Sequence, residues 1–320
     1  MFIGKGPRER GREGVDYTAR MPSSKIAVFG VPTAAGGRAT GLERAPFALR
    51  EAGLLARLRA TGARVVNLSD LSLFPYRDDA EHPQARNAEV VECAVRAAAD
   101  EMTRALGEGF TIVLGGDCTL VAGTVAGASR TLGQPVGVVY IDADADLNTP
   151  DTSTSGYLNG MALALALGRG PSNVVAAGGA PPAVAADHVS LVGFRAVDPG
   201  ERPALGDLGL ALPAAAARRL GMRVAAALAL DGVGNGDGPI LVHLDVDVID
   251  AAEMPAKQFL TPGAGLAYAE VADLVTAIVA SPRVVALEVT EYDPSRDPQG
   301  EHARKIVDLI VRAASRRLQG

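Results

Sequence analysis

Two short segments of the sequence concentrate ionisable side chains at a spacing of two residues. The side chains concerned are Asp142, Asp144 and Asp146 in IDADAD, and His243, Asp245 and Asp247 in HLDVD. Because alternate residues of an extended chain point to the same side, each segment presents its charged groups on one face. Carboxylates gathered in this way repel one another unless a cation lies between them. The two segments together therefore predict a site for two divalent metal ions, and the oxygen ligands make Mn²⁺ a natural choice.

The elements that must position these segments are predicted from the hydrophobic pattern. Short runs rich in Val and Ile, with little polar alternation, predict buried strands. They cover residues 25–30, 64–68, 111–116, 136–142, 189–194, 240–247 and 284–289. Stretches with helical periodicity lie between them, at residues 44–59, 87–106, 120–131, 214–230, 268–278 and 301–318. This alternation predicts an α/β fold in one domain, with a mainly parallel sheet of about eight strands and helices on both faces.

The acidic segments fall where such a fold binds ligands, beyond the carboxyl ends of parallel strands. IDADAD and HLDVD each end a predicted strand, and so do LGGDC and EVTEYD. The alternative interpretation is that the carboxylates are solvated and that each segment leads into a separate loop. That interpretation is a serious one for either segment alone, but the occurrence of both after buried apolar runs favours a shared metal site.

Composition excludes several other classes of protein. The chain has 320 residues, a net charge of −6 and only two cysteines. There is thus no basic surface for nucleic acid or anionic membrane, and no framework of disulfides. Residues 1–22 are rich in Arg and Gly, and we predict a flexible tail there, followed by one domain over residues 23–320. Since neither a signal peptide nor a membrane-spanning stretch is evident, a cytoplasmic location is expected.

Six segments, in order, resemble the arginase/agmatinase (ureohydrolase) family over nearly the whole chain from Lys25 onward. They are GGRATGLERAPFALREAGLLARL at 36–58, LGGDC at 114–118, IDADADLNTPDTSTSGYLNGM at 141–161, VGFRAVDPGE at 192–201, HLDVDVIDAAEMPA at 243–256 and LEVTEYDP at 287–294. The resemblance implies the arginase-type fold and hydrolysis of a guanidino C–N bond in a small molecule. It also leaves open whether the chain forms homo-oligomers, as many members of the family do.

The resemblance also implies a role for each ligand of the metal pair. Asp142 and Asp245 would bridge the two ions. Cys118 and Asp146 would complete the coordination of one ion, called metal A. Asp144 and Asp247 would complete the coordination of the other ion, called metal B. A hydroxide held between the ions would be the nucleophile, since two cations lower the pKa of bound water.

The remaining roles concern the substrate. By resemblance, Glu291 would hold the guanidinium group through a charge-assisted pair. Asn148, Ser153 and Ser155 would bind a substrate carboxylate, and Asp198 an α-amino group. Asp146 would accept the proton of the attacking water. For Asp198, a simple Asp-Pro turn is the alternative.

Three histidines of the family's pattern are absent here. Cys118 and Asp144 stand at two metal-ligand positions, and Asn159 stands where the family has a proton-shuttling His. A thiolate ligand shifts the preference toward Zn²⁺, Fe²⁺ or Co²⁺ without excluding Mn²⁺, whereas a buried Cys118 that binds nothing is the alternative. His243 is a candidate replacement for the missing proton donor, because it shares a strand face with Asp245; the alternative is a packed histidine below the site.

The combination of Cys118, of Tyr157 two residues before Asn159, and of His243 two residues before Asp245 is similar to one branch of the family that acts on Nω-hydroxy-L-arginine. That substrate, yielding ornithine and hydroxyurea, is therefore the first expectation, and L-arginine, yielding ornithine and urea, is the second. Two other functions stay open: a non-catalytic or regulatory metal-binding relative, and an amidohydrolase that acts on an amide or formimino group.

Overall fold

A single parallel sheet forms the centre of the molecule, for which a computed structural model describes residues 24–258, 260–261 and 264–319. Its strands are β1 (Lys25–Gly30), β2 (Arg64–Asp70), β3 (Phe110–Leu114), β4 (Gly137–Ile141), β5 (Val189–Val192), β6 (Leu210–Leu212), β7 (Ile240–Asp245) and β8 (Val284–Thr290). Over the described residues these eight strands have the order β2-β1-β3-β8-β7-β4-β5-β6, and every neighbouring pair is parallel. The predicted tail at residues 1–22 lies outside the described residues.

Helices cover both faces of the sheet. They are α1 (Ala45–Glu51), α2 (Leu54–Ala60), α3 (Ala88–Leu106), α4 (Val121–Leu132), α5 (Ala162–Ala166), α6 (Ser172–Val175), α7 (Arg202–Leu205), α8 (Ala214–Leu220), α9 (Met222–Gly232), α10 (Tyr268–Val279) and α11 (Glu301–Gln319). Alternate residues of β1 enter different cores: Ile26 and Val28 pack with α1, α2 and α8 to α11, whereas Ala27 and Phe29 pack with α3 to α7. This arrangement confirms the predicted α/β fold with helices on both faces.

The structure differs from the sequence prediction in several elements, among them the short helices α5, α6 and α7, which lie where no helix was predicted. The helices predicted at residues 44–59 and 214–230 are each divided in two, at Gly53 (φ 91°) and at Gly221 (φ 83°). Both glycines adopt backbone conformations that L side chains disfavour, so the helix must stop there. Strand β6 was not predicted, because a three-residue, partly exposed edge strand carries almost no periodic signal.

The four central strands determine where the site forms. The order β3-β8-β7-β4 puts next to one another the four strands that LGGDC, EVTEYD, HLDVD and IDADAD terminate. All residues of these strands are buried, which explains why their sequences are largely apolar. Since the strands are parallel, their four carboxyl ends lie on one edge of the sheet.

Candidate metal centre

The predicted metal-binding side chains converge at this edge in two overlapping groups. Ligand atoms of Cys118, Asp142 and His243 all lie within 4.8 Å of one another, and so do those of Asp142, Asp144 and Asp247. Asp142 belongs to both groups, as a carboxylate shared by two ions would. The two acidic segments, separated by about a hundred residues in sequence, therefore form one cluster.

Burial makes this cluster unfavourable without a cation. It raises the pKa of Asp142, Asp146 and Asp245 well above the usual range, and the neighbouring carboxylates raise these pKa values further. The Oδ2 atom of Asp142 and both carboxylate oxygens of Glu291 are buried and have no hydrogen-bond partner among the described residues. Buried oxygens without partners are unfavourable until a cation or a hydrogen-bond donor pairs with them, so the donor set fits divalent cations.

Local backbone geometry bends the chain around the cluster. The amide of Asp144 donates to Asp142 Oδ1 at 2.8 Å, and the amide of Asp247 donates to Asp245 Oδ1 at 2.6 Å. These side-chain turns end both strands and hold the first carboxylate of each segment in place. Asp146 and Glu291 have φ values of 53° and 66°, a region that non-glycine residues rarely adopt. Strained backbone at two predicted catalytic positions is typical of functional sites.

Cys118 lies at the start of the 3-10 turn Cys118–Leu120 that follows β3, and it is wholly buried. Its thiol donates to Asp245 Oδ2 at 3.1 Å, and its sulfur lies 3.1 Å from the hydroxyl of Thr290. Burial and the charge of Asp245 raise the pKa of the thiol well above its usual value. The group is thus a thiol in the absence of cations, and metal binding would have to displace its proton.

Asn159 has a structural contact that the sequence did not reveal. Its side-chain oxygen accepts a hydrogen bond of 2.9 Å from the backbone amide of Cys118. The backbone amide of Asn159 donates to the backbone carbonyl of Gly36, also at 2.9 Å. It lines the pocket above the cluster. Asn159 therefore joins the loop after β4 to the loop after β3.

The predicted substrate-binding side chains line the same pocket as the carboxylates. The members of this set are Asn148, Ser153, Ser155, Tyr157, Asn159 and Asp198. Asn148 Nδ2 donates to Asp198 Oδ2 at 3.0 Å, so a residue of the β4 loop contacts one of the β5 loop. The Ser153 hydroxyl accepts from the amide of Gly156 at 3.0 Å, and the guanidinium of Arg86 lies 5.3 Å from the ring centroid of Tyr157.

Two of the three predicted catalytic residues lie behind the wall of this pocket. Glu291 is 2% exposed and His243 is 0% exposed, and neither lines the pocket, whereas Asp146 does. Burial and the charge of Asp245 raise the pKa of Glu291 well above its usual value. The ring of His243 packs against that of Tyr140, with ring centroids 4.2 Å apart.

Several supporting residues were missed at the level of sequence. The Tyr140 hydroxyl donates to Asp146 Oδ2 at 2.6 Å, and the Thr261 hydroxyl donates to Asp144 Oδ2 at 2.7 Å. The ammonium of the buried Lys257 donates to the carbonyl oxygen of Asp247 at 2.9 Å. Only Tyr140 offered a signal, because it lies two residues before Asp142 on the same strand face.

Lys257 and Arg195 together bring positive charge to the back of the cluster. Arg195 also donates to the carbonyl of Asp247, at 3.0 Å, and Lys257 donates to the carbonyl of Ile249 at 2.8 Å. Desolvation lowers the pKa of the Lys257 ammonium, while the charges of Asp247 and Asp245 raise it. Two cationic side chains thus hold the main chain that carries the predicted ligand Asp247.

Glu201 connects the two loops that carry Asn148 and Asp198. Its carboxylate accepts from the amide of Leu147 at 2.9 Å and from the amide of Asp198 at 2.7 Å. Burial raises the pKa of Glu201, although these hydrogen bonds lower it. Glu201 therefore stabilises the two loops at the rim of the pocket.

A pocket lined by buried carboxylates at the carboxyl edge of a parallel sheet is typical of a metal-dependent enzyme of the α/β class. Comparison with known proteins identifies the family. The model of the arginase family matches residues 24–315. The mitochondrial arginase-2 of Homo sapiens is 31% identical over 293 residues, covering 89% of this chain and 82% of its own length. The arginase of Brevibacillus brevis is 30% identical, covering 90% and 97%.

Solved structures give the same result. The crystal structure of arginase from Bacillus cereus superposes with a TM-score of 0.81 at 30% identity, over 91% of this chain and 98% of that one. The chain belongs to the arginase family, whose members are hydrolases with a pair of divalent metal ions. Over the described residues, no helix combines the length and the apolar character that crossing a membrane requires.

Proposed function

We propose that the protein hydrolyses the guanidino C–N bond of an arginine-like amino acid. The observation that carries the proposal is the pocket in which the acidic cluster forms the floor while Asn148 and Asp198 lie at the rim. Cations at the floor and polar groups at the rim suit a substrate that is polar at both ends. A flexible chain with a guanidinium at one end and an amino acid head at the other has this character.

In this proposal Asp142 and Asp245 would help to hold both ions. Cys118 and Asp146 would also hold one of the ions, and Asp144 and Asp247 would hold the other. When bound, the two ions supply an activated water near neutral pH. Mn²⁺ is our first choice of metal, because most of the donors are carboxylate oxygens.

The chain's own residues hold the substrate and move the proton. Glu291 has two unpaired oxygens, and these would accept the N–H groups of the guanidinium. Asp146 accepts the proton of the attacking water, while the Tyr140 hydroxyl fixes the orientation of its carboxylate. At the rim, Asp198 pairs with the α-amino group, and Asn148, Ser153 and Ser155 bind the carboxylate.

The preferred substrate follows from the leaving group. Asn159 stands at the position of the family's proton shuttle, and its oxygen is already occupied by the Cys118 amide. A hydroxyguanidine is less basic than a guanidine and depends less on a proton donor. We therefore propose Nω-hydroxy-L-arginine as the first substrate, giving ornithine and hydroxyurea, and L-arginine as the second.

The test is a substrate panel with the protein saturated in Mn²⁺. It contains Nω-hydroxy-L-arginine, L-arginine, agmatine, a guanidino acid without an α-amino group, and a formimino amino acid. Formation of hydroxyurea or urea together with ornithine supports the proposal. Turnover of the formimino compound alone would instead establish the amidohydrolase function.

A variant tests the assignment at the rim. Asp198→Ala should raise KM for α-amino substrates about tenfold or more, since a charged contact contributes about 1.5–3 kcal/mol. It should leave KM unchanged for the guanidino acid that lacks the amino group, which makes that compound the matched control. An unchanged KM for both classes would contradict the amino-acid assignment.

A metal-binding protein without turnover is the second candidate function. The observation that favours it is the engagement of Asn159 in a structural hydrogen bond, which leaves the described pocket wall without a histidine near the cluster. Full metal occupancy without any product from the panel would establish this function.

A further inference from the structure

Three side chains form a row across the central strands, directly beneath the metal centre. Tyr140 of β4 is the register partner of His243 of β7, and His243 is the register partner of Glu288 of β8. All three are 0% exposed. Each lies two residues before a residue of the site (Asp142, Asp245 and Thr290), so the row and the site share one face of the sheet.

The row fixes the ring of His243 in one orientation. The ring stacks on Tyr140 with an interplanar angle of 9°, and Nδ1 lies 2.7 Å from Glu288 Oε1. A carboxylate accepts hydrogen bonds, so Nδ1 carries a proton that it donates to Glu288, and Nε2 is the ring nitrogen left to bind a ligand. A histidine held by a carboxylate in this way is the arrangement found behind metal-binding imidazoles in proteins.

The other side of the ring faces the cluster. His243, Cys118 and Asp142 have ligand atoms within 4.8 Å of one another. Asp142 Oδ2, in the same group, is buried and has no hydrogen-bond partner among the described residues. The contact of His243 Nε2 with the Thr290 hydroxyl is long, at 3.4 Å, and that hydroxyl is also 3.1 Å from the Cys118 sulfur.

We propose that His243 is itself a metal ligand, through Nε2, and that Cys118, His243 and Asp142 form a mixed sulfur, nitrogen and oxygen site. The proposal rests on the metal centre of the proposed function and adds a ligand to it. His243 then supplies the imidazole that the chain lacks at position 118, from a neighbouring strand. Glu288 is a positioning residue, because it acts through the ring of His243.

The two other roles considered for His243 fit the structure less well. A proton donor to the leaving amine must direct an N–H group at the substrate, but the Nδ1–H group of His243 is directed at Glu288 Oε1, 2.7 Å away. A histidine that only fills the core would leave Nε2 with the long contact to Thr290, at the limit of a hydrogen bond. Ligation accounts for the burial, for the Glu288 contact and for the proximity of Cys118.

The proposal makes the two metal positions chemically different. Thiolate and imidazole donors favour borderline ions such as Zn²⁺, Co²⁺ and Fe²⁺. The second group, Asp142, Asp144 and Asp247, offers only carboxylate oxygens and favours Mn²⁺ or Mg²⁺. A preparation given Co²⁺ and Mn²⁺ together should therefore take up one of each.

The test is a titration of the full-length, metal-free protein with Co²⁺, followed by absorption spectroscopy and calorimetry. Wild type should show a thiolate-to-cobalt charge-transfer band with the first ion bound. His243→Gln should lower the affinity for this first Co²⁺ ion about 100-fold or more and shift the band. Glu288→Gln should lower the same affinity about 10- to 100-fold. Asp144→Asn should lower the affinity for the second ion and leave the charge-transfer band unchanged.

His302→Gln is the matched control for loss of an imidazole, because His302 belongs to neither ligand group; both affinities should stay at their wild-type values. If His243→Gln fails to fold, X-ray absorption of wild type loaded with one equivalent of Co²⁺ decides the matter. Imidazole scattering from the bound ion supports the proposal, and its absence overturns it. Unchanged affinity and an unchanged band in a folded His243→Gln protein would also overturn it.

These outcomes are separate from those of the proposed function. If the substrate panel yields no product but the charge-transfer band depends on His243, the ligand assignment stands and the hydrolysis of guanidino compounds does not. If the panel yields ornithine but the affinity for Co²⁺ does not depend on His243, the hydrolysis of guanidino compounds stands and the ligand assignment does not.

Discussion

Replacing Asp144 by Asn should change stability in opposite directions with and without metal. Asp144 is a predicted ligand, and burial followed by repulsion from Asp247 raises its pKa from 3.8 to about 6. That rise corresponds to about 3 kcal/mol, by which ionisation of this carboxyl destabilises the metal-free folded protein. An Asn side chain cannot ionise. In the wild type the Thr261 hydroxyl donates to Asp144 at 2.7 Å, and the side-chain oxygen of Asn can still accept this hydrogen bond.

The sign of the pH dependence follows from linkage. The folded protein binds the Asp144 proton more tightly than the unfolded chain, so the stability from this group is fully present below pH 3.8 and is lost as the pH rises through about 6. Metal-free Asp144→Asn should therefore gain about 3 kcal/mol over metal-free wild type at pH 8, and well under 1 kcal/mol at pH 4. With Mn²⁺ bound, the variant should be less stable than wild type, because a charged ligand is lost.

Urea unfolding of both proteins, after chelation and after Mn²⁺ saturation, measures these differences. Thr261→Val is the control, since it removes the hydrogen bond to Asp144 but keeps the carboxyl. A metal-free Asp144→Asn protein that is no more stable than wild type at pH 8 would refute the reasoning. It would mean that this carboxyl does not carry an unfavourable charge in the folded state.

Three further substitutions test other parts of the site. Tyr140→Phe should lower the free energy of unfolding of the metal-free protein by about 1–3 kcal/mol, because a buried oxygen of Asp146 is left without its hydrogen bond; urea unfolding measures it, and an unchanged midpoint would contradict it. Lys257→Met should weaken Mn²⁺ binding about tenfold, since two carbonyls near Asp247 lose a charged donor; calorimetry measures it, and equal affinity would show that the ammonium is dispensable. Glu291→Gln should lower kcat/KM at least 100-fold while the metal content stays constant. Steady-state kinetics and elemental analysis measure these two quantities, and turnover at the wild-type rate would show that Glu291 has no part in catalysis.

The sequence predicted most of the fold because buried parallel strands have an unusually clear signal. Strands such as β4 and β7 are largely apolar runs that lead into carboxylates, and the structure contains them within one or two residues of the predicted ends. The helix breaks at Gly53 and Gly221 were less visible, since a glycine within a helical pattern need not adopt a positive φ. The edge strand β6 is too short to show a period.

The site was predictable only where its residues are close in sequence. Spacing within IDADAD and HLDVD indicated which carboxylates share a face, but it could not indicate which strands are neighbours. The pair of His243 and Glu288 depends on the register of β7 with β8, and the stack of His243 on Tyr140 depends on the register of β7 with β4. Lys257 was missed because its position under Asp247 is set by tertiary packing rather than by local pattern.

Elemental analysis of the purified protein tests the central claim most directly, beside a Cys118→His and Asp144→His double variant that restores the family's histidines at both positions. Two ions per chain in wild type would agree with a working pair of metal sites built from a thiolate, an imidazole and carboxylates. Metal well below two ions per chain in wild type, restored only in the double variant, would contradict it, because the substitutions at positions 118 and 144 would then have emptied the site.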